Sequence, residues 1–317
     1  MRVAIHEYLM HAAYFAPRGK TRIIELGRSI SHRYLDPTDK LTGLIGDAGA
    51  GKSLLIRGIF PGLELTNDDD GINVRPLPLI RDADEGHFRA HTYHVDVRFE
   101  TGFSQPWVIA EAVRLAIAAD RRVIIEHFEL LYPVLQINAE VLIGVGEEVI
   151  VTRPGVFGPF PQEIADIVFE SLPYRKMAHS AEDLTAMVLV EMGISKPEAH
   201  SDIKHGFVLE FEEKPQIDLA QVEQKVLELI AEDQVIDYYD ETNIKIGCRT
   251  WGCTGPRLHI RRTGDIKGFR LIKDLKWDSI EKLYLLTGLV GEDDKASWAG
   301  QGSGSVLLLR VPPPGRV

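Results

Sequence analysis

Lys52 and Ser53 close the run GDAGAGKS, residues 46–53, in which three glycines surround two alanines and an aspartate. Glycines spaced in this way let a backbone curl until successive N–H groups converge on phosphate oxygens, and a helix N-terminus directly behind adds positive potential. A lysine at the end of such a turn reaches the β and γ phosphates of a nucleoside triphosphate, and the hydroxyl beside it can hold Mg2+. The run satisfies G-x-x-x-x-G-K-[ST] and lies between the apolar stretch 41–45 and the helix-like stretch 54–60, the strand–turn–helix context the motif requires. The expected nucleotide-binding residues are therefore Gly46, Asp47, Ala48, Gly49, Ala50, Gly51, Lys52, Ser53 and Leu54, with ATP or GTP and Mg2+ as ligands.

A metal shell beside such a turn needs an acid, ordinarily at the end of a neighbouring buried strand. Two positions fit: Glu126 ends the apolar RRVIIE, and Asp96 lies in HVDV, with the longer apolar run favouring Glu126. The acid-rich LTNDDDGIN, residues 65–73, follows the expected helix closely. In order and spacing it resembles the segment in which P-loop kinases of the uridine kinase type carry an acceptor-activating aspartate. The resemblance makes Asp68, Asp69 and Asp70 candidate general bases, with Asp69 and Asp70 foremost; a solvated loop whose aspartates cap a turn is the alternative.

The second half of the chain carries YRKMAHSAEDL and, later, GCTGPRLHIRRTGDIKGFRLIK. Together these resemble the editing domain of alanyl-tRNA synthetase, its second additional domain, and the free-standing relatives that hydrolyse mischarged tRNA. The likeness spans roughly residues 155–290. In that family a helix supplies H-x-x-x-H and a later C-x-x-x-H segment completes a zinc site. Carried over residue by residue, these positions fall on His179 and Asp183, then on Cys253 and His259. Asp183 departs from the family's histidine, and Arg257 and Leu258 lengthen the interval between Cys253 and His259. A helix would place His179 and Asp183 on one face, and a cysteine and histidine from a loop could close a tetrahedral shell. Cys248 is the alternative sulfur, while His200 and His205 read as ordinary loop histidines. The resemblance implies an amino acid, an aminoacyl ester or tRNA as ligand, with Arg261 and Arg262 placed to meet RNA phosphates. The whole chain resembles a bacterial group in which this domain follows an N-terminal P-loop domain.

The elements that must position these residues divide in two. A chain of 317 residues has room for two ordinary domains. In the first half, strand-like LTGLI, TYHVDVRFE, RRVIIE, VLIGV and EVIVTRP alternate with helix-like segments, which predicts an α/β domain with a mostly parallel sheet and flanking helices over residues 1–155. The cluster RPGVFGPFPQ marks the boundary. Beyond it, helices at SAEDLTAMVLVEM and DLAQVEQKVLELIAED with strands at HGFVLEFEE, RLHIRR and GFRLIKDLKW predict an α+β, editing-like domain over residues 156–317, ending in an exposed tail. A net charge of −11 argues against wholesale coating of nucleic acid and leaves room only for a local basic patch. Two cysteines are too few for a disulfide framework, and no apolar run could span a bilayer, so a cytoplasmic protein without a membrane partner is expected. Three functions follow: a kinase-like phosphotransferase or nucleoside triphosphatase, a zinc-dependent aminoacyl-tRNA deacylase regulated by nucleotide, or a non-enzymatic nucleotide-gated RNA-binding or sensor module.

Overall fold

The computed structural model describes residues 11–66, 75–197 and 199–291, which fall into two compact units. Unit 1 holds the first strand and residues 20–170; unit 2 holds residues 17–19 and the chain from Ser171 onward.

Unit 1 runs through β1 (Ala12–Phe15), α1 (Lys20–Tyr34), β2 (Leu41–Ile45), α2 (Lys52–Ile59), α3 (Pro78–Asp84), β3 (Thr92–Asp96), the single turn α4 (Val97–Glu100), α5 (Pro106–Ala118), β4 (Arg122–Glu126), α6 (Phe128–Leu135), β5 (Val141–Val145) and β6 (Glu148–Thr152). Its strands form one sheet in the order β1-β6-β5-β2-β4-β3. The strands β2 to β5 run parallel, but β6 turns back on β5 and β1 pairs antiparallel with β6, so the sheet is mixed and only mostly parallel. The reason lies in the connection: only Gly146 and Glu147 separate β5 from β6, and a parallel return needs about a dozen residues.

Apolar clusters cover both faces of this sheet, which is why β2 and β5 are buried at every position. Ile23, Leu26 and Ile30 of α1 with Leu55 and Ile56 of α2 fill one side, and Ile109, Val113, Phe128 and Leu131 fill the other. The two helices α1 and α2 touch backbone to backbone. A Cβ at Gly58 would stand 2.2 Å from the carbonyl oxygen of Ile24 and 2.9 Å from the Cα of Gly27. The strand expected through Phe99 stops at Asp96, whose Oδ1 accepts the Phe99 N–H at 3.1 Å and starts α4.

Helix α7 (Pro161–Glu191) gives its first residues to unit 1 and the rest to unit 2, so the proline and glycine cluster at 153–162 is a loop and helix start inside unit 1 and the division falls later in the chain. Unit 2 continues with β7 (Ala199–Ile203), β8 (Gly206–Phe211), α8 (Leu219–Ala231), β9 (Ile236–Tyr238), β10 (Asn243–Ile246), β11 (Arg249–Gly252), β12 (Arg270–Leu271), β13 (Lys276–Asp278) and β14 (Leu283–Leu289). These strands make two antiparallel sheets, β11-β10-β9 and β12-β14-β8-β7, with β13 also on β14. Leu184 and Val188 of α7, Val226 of α8, Phe207 and Leu209 of β8 and Leu286 of β14 share one core. The segment RLHIRR, expected as a strand, stays irregular apart from a bridge between Arg262 and Val235, and a 3-10 turn at Thr263–Asp265 follows it. Among the described residues no helix is long and apolar enough to cross a membrane.

Candidate functional site

Two constellations of reactive side chains form, one in each unit. In unit 1 the glycine-rich turn leaves the carboxyl end of β2, the edge at which open parallel sheets bind ligands. Gly51 takes a left-handed conformation, φ 98°, which strains any other residue, and a Cβ there would lie 2.4 Å from Ile23 Cδ1, so the Ile23 side chain would also have to move. No side chain caps α2, which leaves its first N–H groups facing the turn. Ala48 and Gly49 are exposed at the apex, whereas Lys52 is buried, its Nζ donating to the Asp47 carbonyl at 3.0 Å. The side chain of Leu54 packs into the apolar core, so only its backbone faces the turn.

Glu126, at the end of β4, gathers the functional groups. Ser53 Oγ donates to its Oε1 at 3.0 Å, Lys52 Nζ lies 3.6 Å from Oε2, and His94 Nε2 lies 3.2 Å from Oε1. The Thr66 N–H donates to His94 Nδ1 at 3.2 Å, which places the imidazole proton on Nε2, facing the carboxylate. Burial alone would push Glu126 up; the hydrogen bond from His94, the charge of Lys52 and the hydroxyl of Ser53 overcome it and hold the carboxyl at about 2. Asp96, the other candidate acid, caps α4 by accepting the Phe99 N–H. Arg98 NH1 reaches Asp47 Oδ1 at 3.3 Å. Asp68, Asp69 and Asp70 lie outside the described residues. A cavity of about 800 Å³ at the amino ends of β3 and β4, lined by Phe60, His91 and Arg122, shares Thr66 and His94 with this site.

Sequence alone missed His94. Its signal was the strict alternation of TYHVDV, which sets His94 on the face opposite Tyr93 and Val95; β3 is buried on both faces, so a polar residue there needs partners.

In unit 2, His179 and Asp183 of α7 meet Cys253 and His259 from the irregular segment after β11, with their ligand atoms all within 4.8 Å of one another. Cys253 Sγ lies 3.3 Å from His179 Nε2 and 3.2 Å from His259 Nε2; Asp183 Oδ2 lies 3.8 Å and 3.5 Å from the same two nitrogens. Zinc–nitrogen, zinc–oxygen and zinc–sulfur bond lengths put the edges of a tetrahedral shell at about 3.4–3.6 Å, so the spacing fits such an ion. The hydrogen bonds behind the donors agree. His179 Nδ1 faces the Leu258 carbonyl at 3.3 Å and must carry its proton there. Ser180 Oγ donates to the Lys176 carbonyl and accepts the Ile260 N–H, so His259 Nδ1, 3.2 Å away, is a donor to it. Both Nε2 lone pairs therefore point inward. Trp251 Nε1 donates to Asp183 Oδ1 at 3.2 Å, while Oδ2 is buried without a hydrogen-bond partner.

Burial, then the neighbouring His259, pushes His179 far below its ordinary value, and burial with Arg18 brings His259 down to about 3. Burial raises Asp183 to about 6 against hydrogen bonds from Cys253 and Trp251, and burial and Asp183 together push the Cys253 thiol up. Neutral imidazoles beside a carboxylate and a thiol whose proton a cation would displace are the donor chemistry of a metal site. Arg18, almost wholly buried, forms ion pairs with Glu182 and Asp202 beside the cage.

The remaining sequence candidates separate cleanly. Cys248 is exposed and outside the cage; the longer interval after Cys253 is absorbed by a turn in which Gly255 packs on His179 and Leu258 supplies its carbonyl. His200 lies beside Glu182 and His205 stacks on Tyr174, and neither joins the cage. Arg261 is exposed, and Arg262 is held by Asp233, its Nε donating at 2.8 Å.

No family model and no curated protein matches the chain. Among solved structures, the ornithine aminotransferase from Toxoplasma gondii ME49 aligns over 82% of this chain and 71% of its own at 10% identity, with a TM-score of 0.24, too slight a likeness to inform the chemistry.

Proposed function

We propose that unit 1 binds a nucleoside triphosphate, ATP or GTP, with Mg2+ in a P-loop and carries out phosphoryl chemistry at its terminal phosphate, as a kinase-like phosphotransferase or a nucleoside triphosphatase. The observation that carries this reading is the convergence of Lys52 and Ser53 on buried Glu126 directly behind the glycine turn. The N–H groups of the turn and of the start of α2 would receive the phosphates. Lys52 would exchange the Asp47 carbonyl for phosphate oxygens, and Ser53 with Glu126 would hold the cation, which when bound neutralises and orients the phosphates. His94 keeps Glu126 ionised and aimed. The choice between transfer and hydrolysis rests on whether Asp68, Asp69 or Asp70 serves as acceptor base. Replacing Glu126 by Gln is expected to spare nucleotide affinity and slow phosphate release about 100-fold or more; unchanged turnover in that variant would remove Glu126 from the mechanism.

The cage favours a second reading for unit 2. Four protein donors of types N, N, O and S suit zinc. Because all four positions are filled by side chains, the set is of the closed kind that organises a binding surface, whereas a zinc hydrolase keeps a position for water. This supports a zinc-ordered module for an aminoacyl ester or tRNA, nucleotide-gated or not, over a zinc-dependent aminoacyl-tRNA deacylase. Exposed Arg261 would meet phosphates directly, and Arg262 would do so after leaving Asp233. Stoichiometric zinc without ester hydrolysis is the expected outcome for purified protein; zinc-dependent deacylation of aminoacyl-tRNA would restore the hydrolase.

A further inference from the structure

Asp47 holds two cations at once. Its carbonyl accepts Lys52 Nζ at 3.0 Å, and its carboxylate meets Arg98 NH1 at 3.3 Å. Arg98 belongs to α4, immediately after β3, and β4 lies between β3 and β2, with Asp96 and Leu44 both in register with Glu126. Neighbouring strands stand about 4.8 Å apart, so the guanidinium bridges from the end of β3 to the turn after β2, across the carboxyl end of β4 where Glu126 sits. That is the space a terminal phosphate would occupy with Lys52 and Ser53 beneath it. Arg75, which also approaches α4, is committed to buried Glu100 at 2.7 Å and lies over the Phe103 ring, 4.0 Å from its centroid. The Arg98–Asp47 pair is solvent-facing, with side chains 57% and 34% exposed. Such pairs contribute little, so Arg98 can change partner at small cost.

We propose that Arg98 is a catalytic residue of unit 1: it leaves Asp47 for the oxygens of the terminal phosphoryl group and stabilises the charge that gathers there in the transition state. The inference rests on the nucleotide reading given above. In hydrolysis the water oxygen bonds to the γ phosphorus as the bridging P–O bond breaks, its electron pair leaving on the nucleoside diphosphate. One water proton stays on the released phosphate and the other passes to solvent. A planar guanidinium supplied by the same chain suits the equatorial oxygens, as a point-like ammonium does not. Asp47 then acts as a holding position, and its own charge opposes phosphate until Arg98 or Lys52 offsets it.

The test compares wild type with Arg98→Ala, Arg98→Lys and Asp47→Asn. Fluorescent mant-ADP with Mg2+ is titrated with and without aluminium fluoride, which completes a planar mimic of the transferring phosphoryl group, and single-turnover phosphate release from ATP is followed. Arg98→Ala should bind mant-ADP within about twofold of wild type, lose the added affinity that aluminium fluoride brings, and release phosphate about 1,000-fold more slowly. Arg98→Lys should recover only a small part, and Asp47→Asn should bind nucleotide more tightly. A wild-type response to aluminium fluoride and wild-type turnover in Arg98→Ala overturn the assignment while leaving the nucleotide site standing, as does a loss confined equally to ground-state affinity. A wild-type protein that binds mant-ADP but gains nothing from aluminium fluoride also overturns it. A wild-type protein that binds no nucleotide removes the reading on which the inference rests, and the inference with it.

Discussion

In unit 1 the groups that would meet a nucleotide are neighbours in the chain, residues 46–54, with Glu126 and His94 brought in by adjacent strands. In unit 2 the cage joins a helix to an irregular segment, Cys253 standing 74 residues from His179, and its donors are aimed by hydrogen bonds behind them. A contiguous turn takes its shape from backbone conformation and close approaches at Gly46 and Gly51, so side-chain changes elsewhere leave it intact. A cage assembled at long range takes its shape from burial and from proton positions, and so depends on residues that touch no ligand.

That contrast can be broken most forcefully at Arg18. Its removal takes from Glu182 and Asp202 the buried guanidinium they share, so Arg18→Ala is expected to cost unit 2 about 3–5 kcal/mol in urea unfolding followed by tryptophan fluorescence. Nucleotide affinity should stay unchanged, and a loss below about 1 kcal/mol would mean that the ion pairs do not support the cage. Replacing Cys253 by Ala should lower zinc affinity at least about 100-fold, measured by competition with a chelating dye. In wild type that affinity should rise with pH, because Cys253 and Asp183 must release protons to bind a cation.

The same contrast is sharpened by smaller changes. Glu126 is held near 2, below its ordinary 4.5, so its contribution to stability is complete above about 4.5 and is lost as pH falls toward 2. His94→Ala takes away the foremost favourable partner, which raises the folded value and moves the acid loss to higher pH. The expected cost near neutrality is about 1.5–3 kcal/mol, read from thermal midpoints over a pH series, with His94→Gln recovering part through its N–H donor. Ser180→Ala frees the His259 proton to move and should weaken zinc about 10-fold, with Ser180→Thr restoring it. Unaltered zinc affinity in Ser180→Ala would show that the tautomer is set elsewhere.

The same division governs what the sequence discloses. Local signals disclose the glycine turn, the strands on either side of Glu126 and the helix at 219–231, because period and turn chemistry act over a few residues. The cage residues became visible only through a family resemblance. Their supports did not, since nothing local marks Ser180 as the acceptor for His259, Trp251 as the donor to Asp183, or Arg18, in residues 17–19, as part of unit 2. RLHIRR has the composition of a strand, yet its backbone and side chains serve the cage: the Leu258 carbonyl faces His179, and the Ile260 N–H is donated to Ser180. The antiparallel return of β6 was legible in the two-residue link before it; the alternation of elements earlier in the chain pointed toward a parallel sheet, and the link overrides it.

If Lys52, Ser53 and Glu126 form a nucleotide site, calorimetric titration of ATP with Mg2+ into wild type and Lys52→Ala will show it. One nucleotide per chain should bind, only with Mg2+, and Lys52→Ala should lose about 10- to 100-fold in affinity as the charge opposite the terminal phosphates disappears. Equal affinity in the two proteins, or no heat of binding in wild type, would contradict it.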